Sequence, residues 1–389
     1  MSRGACDHVA MVENGNSYAW LPDHQLHIVG TLAHVDGTID SIATILRDLS
    51  RRGMLDVIYR VEGDTRHLIV ENVKPIPPLV PRLVGDALNQ LRSALEHTIY
   101  AEVELLQGRA LTSAEGRRIE MPVATTSEDY ERWLRDRKRP DLIAFAGKSD
   151  FVDRIAALQP FKGSEIADRH PLTVLASHTN WAKHRAPSVA ATHVGQVNAS
   201  DRRPRPDLLV PPPSVEPLRG GEVLASAPVY PAVQLDVWAT PTIQRPHSGT
   251  WHIVMYELAF VETWVRETAI PTLIAGTTDV QKIRPGIDIT LGYQELRKAL
   301  DGADIRTAFD RNVSAMRAEG SARPGLIQLL AIRADSSERQ VIEWWVDQLD
   351  DESANGRFER LAAAASDPRS ISLALAQVRA IALNAYRNR

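Results

Sequence analysis

Arg92 and His97 are the two residues whose types and spacing could do chemistry. They stand in the run Arg92-Ser-Ala-Leu-Glu-His97, with four residues between them. An imidazole can take or give a proton near neutral pH, and a guanidinium can stabilise the extra negative charge of a phosphate in a transition state. The pair would suit cleavage of an RNA phosphodiester. No metal ion would be needed if the ribose 2′-OH is the attacking group.

One long predicted helix must position both residues. From Val80 to Gln107, leucine, isoleucine and valine recur at steps of three and four residues, which predicts an amphipathic helix with a buried stripe. Residues five apart on an ideal helix lie about 140° apart, so Arg92 and His97 do not point at one spot. Either Arg92 swings across, or two copies of the helix meet in a dimer and pool their pairs. The structural alternative pairs Arg92 with Glu96 and makes His97 a hydrogen-bonded helix histidine.

A second basic cluster follows farther along the chain. His170 begins a predicted helix that ends in Lys183-His184-Arg185. Three basic or titratable groups together could bind a phosphate of RNA, so we treat these three residues as candidate substrate contacts. Equally, the dipole of a helix stabilises cations at its C-terminus without any ligand. His178 and His184 are six residues apart, a spacing that does not favour shared metal ligation, and no metal site is predicted.

Composition excludes several classes of protein. The chain has 389 residues, 44% of them hydrophobic, and a net charge of -4, so it can bury a core but has no overall basic field for nucleic acid. Its single cysteine, Cys6, rules out an internal disulfide and cysteine-based zinc signatures. We find no signal peptide, no transmembrane run, and no glycine fingerprint for a nucleotide cofactor. We therefore expect a cytoplasmic protein that needs neither a membrane nor a cofactor.

Apolar periodicity and turn residues divide the chain into a mainly α fold. Residues 1–276 are predicted to form a helical bundle with a β-hairpin, and a β-rich antiparallel insertion at about 187–248. Residues 277–289 are predicted to form a linker, and residues 290–389 a C-terminal all-α domain of short helices. Within the first domain, one helix is predicted from Asp36 to Arg52, and Pro271 is predicted to end another that begins at Ile253.

The helix that carries Arg92 and His97 resembles a known family. The stretch from Gly85 to His97, followed by Leu158-Gln-Pro-Phe161 and the His170 and Lys183 blocks, is similar to a group of uncharacterised bacterial proteins and to the HEPN superfamily. That resemblance implies a helical bundle, often dimeric, and in active members a metal-independent ribonuclease with an R-x4-6-H motif. Arg92 and His97 then occupy the two motif positions. Ser93 stands where Asn, Asp or His is common, which leaves an inactive, RNA-binding or structural version open.

The C-terminal part carries a looser resemblance to the effector-associated domains of bacterial conflict systems. The segment from Val341 to Leu349, followed by Gly356 to Ala365 and then Asp367-Pro368, is similar to these small death-like helical modules. Such modules pair with a like module on another protein. The resemblance implies that residues 290–389 bind a protein partner.

Three functions follow from the sequence, in this order. The first is a HEPN-type endoribonuclease, an anti-phage or toxin effector, with Arg92 stabilising phosphate charge and His97 as general acid or base. The second is a non-catalytic dimeric adaptor in a bacterial conflict or signalling system. The third is a small-molecule sensor with its pocket in the β-rich insertion, although no residue there indicates a ligand.

Overall fold

A computed structural model describes most of the chain. The residues described are 18–137, 142–146, 149–163, 166–199, 207–212, 214–230, 235–315, 326, 330, 336–350, 353–354, 356–357, 360–361 and 368–387. Contacts divide the chain into two units, residues 1–309 and 310–389. This division falls later than the predicted domain boundary at 290.

Two long antiparallel helices form the centre of the first unit. Helix α1 is His27–Arg51 and helix α2 is Leu79–Gln107. The predicted α2 is confirmed: its apolar stripe is buried from Leu88 to Val103, whereas Leu106 near its end is 44% exposed, and Gly108, whose φ is 67°, ends the helix. Helix α1 begins nine residues before the predicted Asp36, because Ile28, Val29 and Leu32 continue the buried stripe ahead of it.

Shorter helices surround this pair. They are α3 Ser113–Gly116, α4 Ser127–Arg137, α5 Asp150–Ala157, α6 Pro171–His184, α7 Val254–Trp264, α8 Ile270–Ala275 and α9 Leu296–Gly302. One hydrophobic core runs through α1, α2 and most of these helices. The mainly α fold class is thus confirmed.

In the part of the chain that the structure describes, six strands form two small antiparallel sheets. The strands are β1 Leu55–Glu62, β2 Thr65–Val73, β3 Ala190–Ala199, β4 Val223–Pro228, β5 Leu235–Gln244 and β6 Trp251–Ile253. Their orders are β1-β2-β4 and β3-β5-β6. The predicted hairpin is confirmed, since Glu62 pairs with Thr65 and Gly63 has the positive φ that a two-residue turn needs.

The β-rich insertion does not stand apart from the hairpin. Strand β4 pairs with β2, and the two sheets share a core that contains Leu68, Val70, Val197 and Leu224. Short apolar strands bury their inner faces only against another sheet or helix, so hairpin and insertion stabilise each other. The sequence did not indicate this pairing.

The prediction that Pro271 ends a helix at that position was wrong. Residues Val265–Ala269 form a turn of π-helix that leads directly into α8, where Pro271 lies in the first turn. Proline has no backbone N–H to donate to the carbonyl one turn earlier. The wider π-helical turn accommodates the missing hydrogen bond, so the helix continues past Pro271.

The predicted linker packs on the helical unit. Tyr18 Oη donates a 3.0 Å hydrogen bond to the Lys282 carbonyl, and Trp20 Nε1 donates one of 2.9 Å to Gln281. Ile283 belongs to the main core. Leu300 and Ala308 also belong to this core, and the first unit therefore extends to 309.

The second unit has a core of its own. Helix α10 is Ser336–Gln348 and helix α11 is Pro368–Arg387. Ile342, Trp345, Val346 and Ala382 are buried together there, and Arg379 donates to the carbonyl of Leu330. Trp345 is therefore a core residue. Among the helices that the structure describes, none is long and apolar enough to cross a membrane.

Candidate active site

Arg92 is held in place by neighbours of its own chain. Its Nε donates a 2.8 Å hydrogen bond to Glu96 Oε1, and Nη2 donates to the Met121 carbonyl. The side chain is 13% exposed. Its other terminal nitrogen, Nη1, is buried and has no hydrogen-bond partner in the described part of the chain. These contacts direct the guanidinium toward the segment that contains Met121.

His97 lies on another side of α2, where α1 crosses it. The side chain is exposed, and its ring centroid lies 6.1 Å from that of His27 on α1. His27 is also exposed, and its Nδ1 lies 3.1 Å from the His24 carbonyl. Desolvation lowers the pKa of His27, and the nearby charges of His97 and His24 lower it further.

A third histidine borders this pair. His24 Nε2 lies 2.9 Å from Glu102 Oε1, and the amide of buried Gln25 donates to the same oxygen at 2.9 Å. Because α1 and α2 are antiparallel, a step forward along α1 corresponds to a step back along α2. His24 therefore contacts Glu102, and His27 contacts His97, which lies about one turn earlier on α2. We call His24, His27, His97 and Glu102 the histidine cluster.

The histidine cluster offers proton transfer at the surface. Two imidazoles with different surroundings can hold one neutral and one protonated ring near neutral pH, which is what general acid–base catalysis requires. Glu102 can stabilise a positive charge on His24. Sequence reasoning missed His24, His27 and Glu102, and the only signal for the first two was the run Asp23-His-Gln-Leu-His27, which lies before the predicted start of α1.

The structure does not bring Arg92 and His97 together. Arg92 contacts Glu96 and Met121, whereas the ring contact of His97 is with His27. This separation agrees with the roughly 140° between residues five apart on a helix. Within the described part of one chain, the ring contact of His97 is thus with another imidazole and not with the motif arginine.

Lys183, His184 and Arg185 are all exposed at the end of α6. The Arg185 guanidinium lies 4.8 Å from the ring centre of Trp181, a cation–π contact. A side chain at Gly85 on α2 would touch Ala182, so this end of α6 lies beside the first turns of α2. No hydrogen bond or ring contact among the described residues joins the three to His97 or Arg92.

A second polar cluster lies in the interior, between α6, β5 and α7. Arg245 donates two hydrogen bonds of 2.7 Å to Glu257. The ring nitrogens of His178 lie 3.2 Å from Ser188 Oγ and 3.4 Å from Glu257 Oε1. Serine, histidine and carboxylate also occur together in hydrolases, but here Ser188 is buried and Arg245 neutralises the carboxylate. We interpret this cluster as structural.

The charge of Glu257 predicts an acid-sensitive contribution to stability. Burial alone would raise its pKa, but hydrogen bonds from His178 and Arg245, and the charge of Arg245, lower the pKa to about 2 from an ordinary value of 4.5. A carboxylate whose pKa is lowered by folding stabilises the fold at pH values above its ordinary pKa. This stabilisation is lost as the pH falls toward the lowered pKa. We expect Glu257→Gln to lower the free energy of unfolding at pH 7 by about 1–3 kcal/mol.

Urea titrations of both proteins at several pH values test this. The difference between native and variant should shrink as pH falls from about 4.5 toward about 2, because the native protein loses the carboxylate there. Glu128→Gln, an exposed glutamate in the first turn of α4, is the control. A Glu257→Gln difference that stays constant with pH would contradict the assignment.

Comparisons with known proteins leave the site to be judged by its geometry. No protein-family model, curated protein or solved structure matches the chain. In the part of the chain that the structure describes, no group of three or more histidine, cysteine, aspartate or glutamate side chains is arranged to hold a metal ion.

Proposed function

We propose that the helical unit is a HEPN-type endoribonuclease that cuts RNA without a metal ion, with His27 and His97 as its acid–base pair. The observation that carries this proposal is the 6.1 Å separation of two exposed imidazole rings where α1 crosses α2. A lowered pKa keeps His27 neutral at pH values where an ordinary histidine begins to take up a proton. We therefore assign His27 as the general base and His97 as the general acid.

The reaction needs only the two rings and the RNA. His27 takes the proton of a ribose 2′-OH, and the oxygen attacks the adjacent phosphorus. The bond from phosphorus to the 5′-oxygen breaks, and His97 gives that oxygen its proton. The products are a 2′,3′-cyclic phosphate and a free 5′-OH.

The other predicted residues take supporting roles in this proposal. Arg92 fixes the segment at Met121 against α2 and so positions the helix that carries His97. Lys183, His184 and Arg185 bind phosphates of the RNA away from the cleaved bond, since all three are exposed and cationic side chains bind phosphate. Their effect should be on affinity rather than on the chemical step.

We assign recruitment to residues 310–389, the part of the predicted 290–389 domain that forms the second unit. The unit from 310 onward has its own buried core, centred on Trp345 and Ile342, so it does not depend on the nuclease core for its apolar contacts. An anti-phage or toxin effector would use this unit to bind another protein in the cell.

Incubation of the purified full-length chain with RNA in EDTA tests the nuclease proposal. We expect cleavage that leaves 2′,3′-cyclic phosphate ends, and no cleavage where a 2′-deoxynucleotide replaces the nucleotide before the cut. Cleavage of the deoxy position, or activity that EDTA abolishes, would contradict the mechanism because neither fits attack by the 2′-OH.

A non-catalytic adaptor is the second candidate, and the contacts of Arg92 favour it. A motif arginine that is 13% exposed and bonded to Glu96 and Met121 stabilises the helix without any substrate. The same experiment separates the two functions. RNA that stays intact, together with a pull-down that requires residues 310–389, would favour the adaptor.

A further inference from the structure

Strand β1 is an unprotected edge of the first sheet. It pairs with β2 on one side, and no strand in the described part of the chain pairs with its other side. Val57, Ile58, Tyr59 and Val61 are 39%, 37%, 44% and 56% exposed. Free strand edges usually carry proline, a bulge, or charged side chains, lysine above all, that prevent pairing with another chain. The charges on β1 are of both signs, so they can also attract a second copy. On β1 itself we find no proline or lysine, and the extra residue of its bulge belongs to β2.

The sequence of β1 is complementary to itself along its whole length in one antiparallel register. A two-fold axis perpendicular to a sheet leaves each side chain on the same face of the sheet. Side chains alternate between the two faces along a strand, so two residues that lie directly opposite each other have numbers that are both odd or both even. An axis at Ile58 sets Asp56 of each copy opposite Arg60 of the other. It also sets Val57 opposite Tyr59, so that apolar side chains meet on the other face.

The neighbouring antiparallel registers form less favourable charge pairs. An axis at Tyr59 sets Asp56 opposite Glu62, and an axis at Arg60 sets two arginines face to face. Like charges directly opposite each other destabilise a strand pair, whereas opposite charges stabilise it. An axis at Val57 gives neither aspartate nor arginine a partner of opposite charge.

The two charged residues are available for this pairing. Arg60 is exposed and makes no ion pair with any residue that the structure describes. Asp56 lies 3.3 Å from Lys74 Nζ at the surface, and a carboxylate can accept from a second cation. A single exposed ion pair between Asp56 and Arg60 contributes little stability, but the two-fold symmetry forms this pair twice in each dimer.

We propose that two copies of this chain associate by antiparallel pairing of their β1 strands about Ile58. The product is a continuous six-stranded sheet in the order β4-β2-β1-β1-β2-β4. One strand pair buries less surface than the roughly 1,200 Å² of a standard stable interface, so the dimer forms and dissociates with protein concentration. This interface differs from the helix-to-helix dimer considered from the sequence, because the apolar stripe of α2 is already buried within one chain from Leu88 to Val103. It does not depend on the nuclease proposal.

Charge exchange tests the register. In sedimentation velocity of the full-length chain, we expect the native protein to approach twice the mass of one chain as concentration rises. Arg60→Asp and Asp56→Arg should each stay monomeric, since each sets like charges opposite each other. An equimolar mixture of the two variants should dimerise again, because every opposed pair is then of opposite charge. Ile58→Lys should also be monomeric, and Leu291→Lys, at an apolar side chain 59% exposed elsewhere, should not.

Cross-linking tests the axis itself. Directly opposed residues in antiparallel strands have Cα atoms about 4.5–5.5 Å apart, which a disulfide can span. In a Cys6→Ser background, Ile58→Cys should therefore form a disulfide-linked dimer on mild oxidation, whereas Val61→Cys, opposite Leu55, should not. A native chain that is monomeric at every concentration, or a dimer that survives Ile58→Lys and both charge variants, would overturn the proposal.

Discussion

Replacing His97 with alanine is expected to lower the rate of RNA cleavage by about 10²- to 10⁴-fold, the usual contribution of a general acid or base. The melting temperature should stay within a degree or two of the native value, because an exposed side chain contributes little to packing. The two measurements together distinguish loss of chemistry from loss of fold. Initial rates on a defined RNA and a thermal melt of the same preparation provide them.

His27→Ala should reduce cleavage by a similar factor, and the double variant should lose little more than either single variant. Residues that act as one catalytic unit are strongly non-additive, since one ring without the other cannot complete the proton transfers. The rate of the native protein should fall on both sides of an optimum pH, because one ring must be neutral and the other protonated.

His34→Ala is the matched control. His34 is also exposed and lies on α1, seven residues after His27, about 10 Å along the helix axis. Its loss should leave the rate nearly unchanged. If His27→Ala retains full activity while His97→Ala does not, the acid–base pair is not the one proposed, and the partner of His97 must be sought elsewhere.

Arg266→Met is expected to lower the free energy of unfolding by about 3–5 kcal/mol, the cost of leaving one member of a buried ion pair without its partner. Arg266 is 2% exposed. Its Nε donates to Glu262, and Nη2 donates a 3.1 Å hydrogen bond to the Leu32 carbonyl on α1. Nη1 lies 3.4 Å from the Ile283 carbonyl. One guanidinium thus joins the π turn, α1 and the segment beyond residue 277.

The size of this effect should depend on pH and on Glu262. Burial raises the pKa of Glu262, and loss of the Arg266 charge would raise it further. A carboxyl group whose pKa is raised by folding stabilises the folded protein most at low pH, where it is protonated. The free energy of unfolding that Arg266→Met loses should therefore become smaller as the pH falls and Glu262 takes up a proton. A second change, Glu262→Leu, should recover much of the stability at pH 7, because an apolar pair can replace a buried ion pair.

Arg132→Met is the control for this experiment. Arg132 makes a 3.1 Å ion pair with Asp129 on the same helix, but its side chain is 67% exposed. Such pairs contribute about 0–1 kcal/mol. Urea unfolding of the variants supplies the comparison. An Arg266→Met variant as stable as Arg132→Met would show that the buried network contributes no more than a surface pair.

Local pattern was sufficient to predict several elements. The apolar residues of α2 repeat with the helical period, and Gly108 can adopt the left-handed conformation that ends it. The β1–β2 turn likewise depends on Gly63 and its neighbours alone. Where the pattern contained a proline, as at Pro271, local rules predicted an end that the π turn avoids.

The candidate site depended on residues that are distant in the sequence. His27 and His97 are 70 positions apart, and only the antiparallel packing of α1 on α2 places their rings 6.1 Å from each other. Sequence predicted His97 and a role for Arg92, but the direction of the guanidinium follows from the Met121 carbonyl, 29 residues away. Spacing along a helix specifies angles about its axis, not which neighbour occupies each side.

By itself, then, the sequence determined the mainly α class, the long helix α2, the hairpin, and the position of the titratable groups along them. Tertiary structure alone decided that β4 joins the hairpin, that residues after 277 belong to the first unit, and that His97 faces His27 rather than Arg92. The physical reason is the range of the interactions. Backbone conformation and apolar period act over a few residues, whereas the partners of buried strands and of side chains are chosen by packing across the whole unit.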